Sequence, residues 1–135
     1  MAWVEVMVVK VAEVMKALSD ESRIRIAALL TKKELCVCEI EAILNMSQSN
    51  VSRYLLKLKN AGIVDAKRES QWIYYSINET FKKENDSLID YLQHIADCEP
   101  LFQADRKKLD GYMRSGMSCE QLSASVKMST GREHS

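Results

Sequence analysis

The chain has 135 residues, and its 19 basic and 19 acidic side chains leave a formal net charge of zero, so global charge points to no class of partner. At 47% apolar residues it has the composition of one globular domain with a single core, and no apolar run is long enough to span a membrane. The N-terminus has no basic flank and no cleavage site, which predicts a cytoplasmic protein with no membrane partner, whose cysteines (Cys36, Cys38, Cys98 and Cys119) stay thiols rather than structural disulfides.

Val4, Val8, Val11, Met15 and Leu18 recur at alternating steps of four and three. That is one helix face with the spacing of a helix–helix seam, although the β-branched run from Val4 also suits a strand. Ser19 or Asp20 is placed to cap a helix from Glu21 to Thr31 that buries Ile24, Ala27 and Leu30. A short helix from Cys36 to Leu44 turns Ile40, Ile43 and Leu44 inward. Asn45 and Met46 make a turn, and Ser47 caps a further helix with Val51, Leu55 and Leu58 inside. Gly62 fits the left-handed position after its end. Ile63 to Arg68 and Trp72 to Asn78 read as two strands of a hairpin around Glu69, Ser70 and Gln71. A long helix from Glu79 carries Phe81, Leu88, Leu92 and Ile95 on one face. After Pro100 the periodicity predicts a helix from about Leu101 to Met113, followed by a loose tail rich in Ser, Thr and charge.

The expected fold is therefore mainly α with a small β-hairpin: a winged helix–turn–helix, dimeric through its first and last core helices. Residues 1–99 form the DNA-binding and dimerisation domain. Residues 100–135 are a C-terminal extension, partly helical and then flexible.

The second helix of the motif offers Ser47, Gln48, Ser49, Asn50, Ser52, Arg53 and Lys57 on its polar side. Gln and Asn can pair twice with adenine and Arg twice with guanine, while Ser and Lys hold phosphates. Between Met46 and Tyr75 five positive charges face two negative ones, a local net of +3 inside a neutral chain. Lys67 and Arg68 lead into the hairpin tip, where a wing reaches phosphates or the minor groove. A polar helix face is ordinarily just a solvated one. Here helix order, capping, turn length and hairpin all agree on double-stranded DNA. Trp72, Tyr74 and Tyr75 read better as packing for the hairpin than as a platform for single strands. The sequence has no C-x-x-C, no Gly-rich phosphate loop and no cysteine–histidine pairing, so no enzyme is expected.

These stretches, "KALSDESRIRIAALL", "ELCVCEI" and "SQSNVSRYLLKLKNAGIVDAKRESQWIYYSIN", resemble the ArsR/SmtB family of metal-responsive bacterial repressors over about residues 10–97. The resemblance implies a homodimer whose recognition helices enter successive major grooves of a palindromic operator, and which a ligand releases. The sequence departs from the family at Glu21-Ser22, where a Pro-Thr pair is common, at Tyr54, a frequent histidine, and at Ser70, a frequent wing glycine.

Cys36 and Cys38 are the notable pair. On a regular helix residues i and i+2 point about 200° apart, so one face cannot bury both, nor can both hold one ion. The local backbone must unwind or the helix must start later. Partial positive charge at the helix start is expected to lower thiol pKa there. In the family "ELCVC" is tied to arsenite and antimonite, and a related version to cadmium and lead; soft thiolates suit all of them. The arsenic sensors commonly carry a third cysteine where Glu41 stands here, so Cys98 or Cys119 is left to supply it, or two thiols suffice. The cadmium version uses cysteines near its N-terminus, and this chain has none before Cys36. Thiol redox sensing, pairing Cys36 or Cys38 with Cys98, is the alternative. The family's other metal site finds only His94 with Asp90 or Asp97, a thin match.

Overall fold

A computed structural model describes residues 2–116, with side chains from Lys10 onward. The first helix, α1 (Ala2–Leu18), is followed by α2 (Glu21–Leu30). Asp20 makes the cap between them: its carboxylate accepts from the Arg23 backbone N–H at 3.1 Å. The β-branched run near the N-terminus is helical, because Val14, Ala17 and Leu18 gain burial against the core only on a 3.6-residue period.

The motif itself is α3 (Val37–Leu44) and α4 (Gln48–Asn60), joined by three residues. Asn45 ends α3 in the left-handed region at φ 54, which Asn tolerates better than other side chains. Ser47 then starts α4 by accepting from the Asn50 N–H at 3.3 Å. Val51, Leu55 and Leu58 form the buried stripe, and Gly62 takes φ 78 just past the helix end.

The wing is β2 (Val64–Glu69) and β3 (Trp72–Ile77), paired antiparallel from Val64 with Ile77 to Glu69 with Trp72. A third strand precedes α3: β1 (Leu35–Cys36) pairs antiparallel with β3, giving the order β1-β3-β2. Two residues are too few to show a strand period in sequence.

The single long helix expected from Glu79 is two: α5 (Glu79–Glu84) and α6 (Asp86–Cys98). Asn85 breaks it. Its backbone leaves the helical region at φ −131, ψ 42, and its side-chain amide donates to the Phe81 carbonyl at 3.1 Å. The Phe81 carbonyl thus accepts both the Asn85 backbone N–H, at 2.9 Å, and its side-chain amide, which closes the end of α5.

The last described helix, α7 (Pro100–Ser115), has Pro at its start and Gly116 at φ 69 at its end. It folds onto α2, α3 and α6 rather than standing apart. Leu109 is fully buried, and Asp105, 3% exposed, receives both Nε and Nη2 of Arg25 at 2.9 Å. The residues expected as a tail lie outside the described ones. No helix among the described residues is long and apolar enough to cross a membrane.

Candidate nucleic-acid interface and thiol pair

Burying Val51, Leu55 and Leu58 commits the opposite side of α4 to solvent. Ser47, Gln48, Ser49, Arg53 and Lys57 are exposed there, with Asn50 and Ser52 half-buried beside them. Arg53 is already oriented. Its Nη2 donates to Asn50 Oδ1 at 2.9 Å, and its guanidinium lies 5.6 Å from the Tyr54 ring centre. Tyr54, at the family's frequent histidine position, and Asn50 thus restrict the Arg53 guanidinium, which lowers the entropy it would lose on binding a ligand.

On the wing, Lys67 and Arg68 are both exposed. Adjacent strand residues point to opposite faces, so the two present charge on both sides of the hairpin. Lys67 pairs with Glu69 at 3.5 Å across open solvent, a weak contact that a phosphate can replace. At the tip Ser70 itself adopts φ 59, the left-handed conformation a glycine takes without penalty.

The geometric conflict at Cys36 and Cys38 is resolved by a later helix start. Cys36 is not helical: it is the N-cap of α3, extended at φ −90, ψ 169, and lies in β1. The two Sγ atoms stand 2.9 Å apart. Cys36 is buried and disulfide-bonded, which corrects the expectation that every cysteine stays a thiol, while Cys38 is a half-buried thiol. The expected lowering of thiol pKa does not hold for Cys38. Burial, then the Glu39 and Glu41 carboxylates, push it up to about 11, outweighing the backbone N–H groups at the helix start.

Two residues missed in the sequence close this site. Glu39, 4% exposed, accepts from the Cys36 backbone N–H at 2.9 Å through Oε1. Its Oε2 accepts from the Tyr112 hydroxyl on α7. Burial and this carboxylate raise the Tyr112 phenol above its ordinary pKa. The Cys36-x-x-Glu39 spacing of a capping box was a legible signal for Glu39. Nothing local announces Tyr112, which is 73 residues away in sequence.

Among the described residues, no three His, Cys, Asp or Glu side chains form a group that could hold a metal ion. Cys98 therefore does not join the pair within this chain; it is exposed, 3.5 Å from His94 Nε2 one turn earlier on α6. His94 likewise gathers no acidic partners into a second site. Cys119 lies outside the described residues.

One surface assignment is corrected. Leu92 and Ile95, expected in a dimer seam, are buried within the chain's own core together with Phe81 and Ile89. The α6 stripe packs on α2 and α7, so it is not free for a partner. On α1, Val11 and Met15 remain 59% and 52% exposed; the side chains of Val4 and Val8 lie outside the described ones.

Two short helices in succession, an exposed polar face on the second and a charged hairpin beside it define a winged helix–turn–helix DNA-binding protein. Residues 20–66 match the family described as bacterial regulatory protein, arsR family. The chain is 38% identical over 77 residues to the arsenic resistance transcriptional regulator ArsR1 of Pseudomonas putida, covering 56% of this chain and 60% of that one. It is 41% identical over 75 residues to a cadmium resistance transcriptional regulatory protein, CadC homolog, of Staphylococcus aureus, covering 55% of this chain and 62% of that one. The match thus spans about three-fifths of the length of these curated relatives. Among solved structures, the homodimeric winged helix–turn–helix domain of a possible ArsR-family transcriptional regulator from Mycobacterium bovis superposes with a TM-score of 0.60 at 31% identity, covering 71% of this chain and 86% of that one. The chain belongs to the ArsR family.

Proposed function

We propose that this chain is a homodimeric transcriptional repressor that binds a palindromic operator through α4 and the wing and leaves it when arsenite or antimonite is captured by Cys36 and Cys38. One observation carries the reading: the two sulfurs meet at the junction of β1 and α3, the helix that supports the recognition helix. A soft ion held by both needs them about 3.5 Å or more apart, given metal–sulfur bonds of about 2.3 Å. Capture therefore spreads a pair that stands at 2.9 Å and reshapes the start of α3. A ligand that favours the spread state shifts the protein away from the DNA-competent one by its differential affinity.

The chemistry favours arsenous acid over cadmium. Once a small-molecule thiol has reduced the Cys36 disulfide, each thiol forms an S–As bond as an As–O bond breaks, and its proton leaves with the hydroxyl as water. Arsenic stays trivalent, and no proton is lost to solvent. A divalent cation must instead expel a proton per thiol, which costs more when Cys38 titrates near 11. The third thiol is Cys119 or a cysteine of the partner, or two thiols suffice; the Tyr112–Glu39 contact docks α7 on the start of α3.

The dimer forms through α1, whose exposed Val11 and Met15 border a groove completed by Val14 and Phe81. The relative named for cadmium supports the alternative inducer, and the Cys36 disulfide supports the redox one. Operator binding titrated in parallel with arsenite, cadmium and peroxide tests the reading. Release by arsenite at the lowest concentration, lost in Cys36→Ser/Cys38→Ser, is the expected result. Complete release of that double variant would overturn the reading.

A further inference from the structure

We propose that the cleft walled by α2, α6 and α7 binds a small aromatic monocarboxylate, at a site separate from the cysteines and from the DNA-facing elements. The inference goes beyond the repressor reading and does not depend on it. The cleft has a volume of about 220 Å³. That is below the range of about 300–1,000 Å³ typical of pockets for drug-sized ligands. It is above the roughly 150 Å³ of a cavity that accepts benzene. One ring with one polar substituent fits such a space, and a nucleotide does not.

Part of the wall is apolar. Leu29 of α2 and Leu109 of α7 are buried, and the half-buried Phe102 offers a ring beside them. A bare inorganic ion would leave this surface facing water, whereas an aromatic ring covers it and packs on Phe102. The rest of the wall is charged. Three cations, Arg25, Lys32 and Arg106, line the cleft against two carboxylates, Asp97 and Asp105. The excess is one positive charge, which matches a monoanion. Both carboxylates already have partners. Asp105 accepts from Nε and Nη2 of Arg25, each at 2.9 Å, and Asp97 accepts from Nη1 of Arg106. Donors remain beyond these pairs. Among the described residues, Nη1 of Arg25 and Nε and Nη2 of Arg106 have no acceptor, and Lys32 has no carboxylate partner. A ligand carboxylate can therefore take charge-assisted hydrogen bonds without displacing either ion pair. None of these side chains lies on α4 or the wing.

The test uses the full chain with benzoate as probe and benzamide as its uncharged counterpart, both followed by titration calorimetry. Saturable one-to-one binding of benzoate is expected at about millimolar concentration or below, with benzamide about tenfold weaker for want of the charge. Benzoate should also raise the melting temperature, because it binds the folded chain. Removing two cations in Lys32→Ala/Arg106→Gln should weaken benzoate at least about tenfold and leave benzamide as in the parent. Ala96 lines the same cleft, so Ala96→Leu should fill it and abolish binding of both probes. A folded parent that shows no saturable benzoate binding would overturn the proposal. Benzamide binding as tightly as benzoate would do the same, since the cleft would then recognise no anion. Inorganic phosphate binding as tightly as benzoate would reduce the site to general attraction of anions and overturn the aromatic assignment. Benzoate affinity unchanged in the double variant would place the probe elsewhere on the chain, and this outcome stands even where Ala96→Leu folds poorly.

Discussion

Cys36 stands opposite Tyr74 across β1 and β3, and Tyr74 in turn stands opposite Lys67 on the wing. Cys36 is therefore separated from Lys67 by the single strand β3, and it caps α3, which packs on α4.

Arg53→Ala and Gln48→Ala should each weaken operator binding by about 1–3 kcal/mol and relax preference at one base pair. Asn50→Ala should also weaken it, since Asn50 Oδ1 orients the Arg53 guanidinium. Anisotropy on operators substituted one base pair at a time checks this. Arg53→Ala binding as tightly as the parent would remove α4 as the reading element.

Lys67→Ala is expected to behave differently from Arg53→Ala. One lost phosphate contact should weaken binding equally on all sequences and lower the log–log salt slope by about 0.9. A change confined to one sequence would show that Lys67 reads bases instead.

Val11→Asp and Leu92→Asp should separate the seam from the core. Val11 is exposed in one chain, so the charge should cost the dimer and spare the fold. Leu92 is fully buried, so Leu92→Asp should unfold the protein, a loss of several kcal/mol. Sedimentation gives the first outcome and thermal melting the second. A dimeric Val11→Asp would move the interface off α1.

The raised pKa of Cys38 has two consequences with definite sign. Folding holds its proton above the ordinary value of 9.0, so this contribution to stability is present below that pH and lost as pH rises through about 11. Melting temperature should fall over that window less steeply in Cys38→Ser than in the parent. Below it, cadmium affinity should climb with pH while arsenite affinity stays nearly level between pH 6 and 8, about neutrality. Equal slopes for the two would contradict capture of arsenite by protonated thiols.

Ser70→Gly should stabilise the wing, by about 1 kcal/mol, because it removes a side chain from a left-handed position at φ 59. Chemical denaturation measures it. A destabilised variant would mean that the serine contributes more than its strain costs.

Much of this protein was written in short-range pattern. The stripe Val51, Leu55 and Leu58, the Ser47 cap and the Gly62 stop define α4 and, by exclusion, its outer face. The exposed positions of Ser47, Gln48, Arg53, Lys57, Lys67 and Arg68 follow from the same periods, because burying one face of an element leaves the other to water. The i, i+2 spacing of the cysteines required either an unwound backbone or a later helix start, and the structure takes the second, with α3 beginning at Val37. Tertiary structure decided the rest. Asn85 broke a periodic helix by leaving the helical region at φ −131, ψ 42, with its side-chain amide on the Phe81 carbonyl, a local change that an apolar stripe does not register. Leu92 went to the core rather than to a partner because α7 folded back onto α6. The rise at Cys38, the Arg25–Asp105 clamp and the Glu39–Tyr112 bridge all depend on burial and on charges brought together from distant segments. Periodicity says which side of a helix is apolar, but only packing says what covers it, and it is the covering that sets dielectric, hydrogen-bond partners and thiol chemistry.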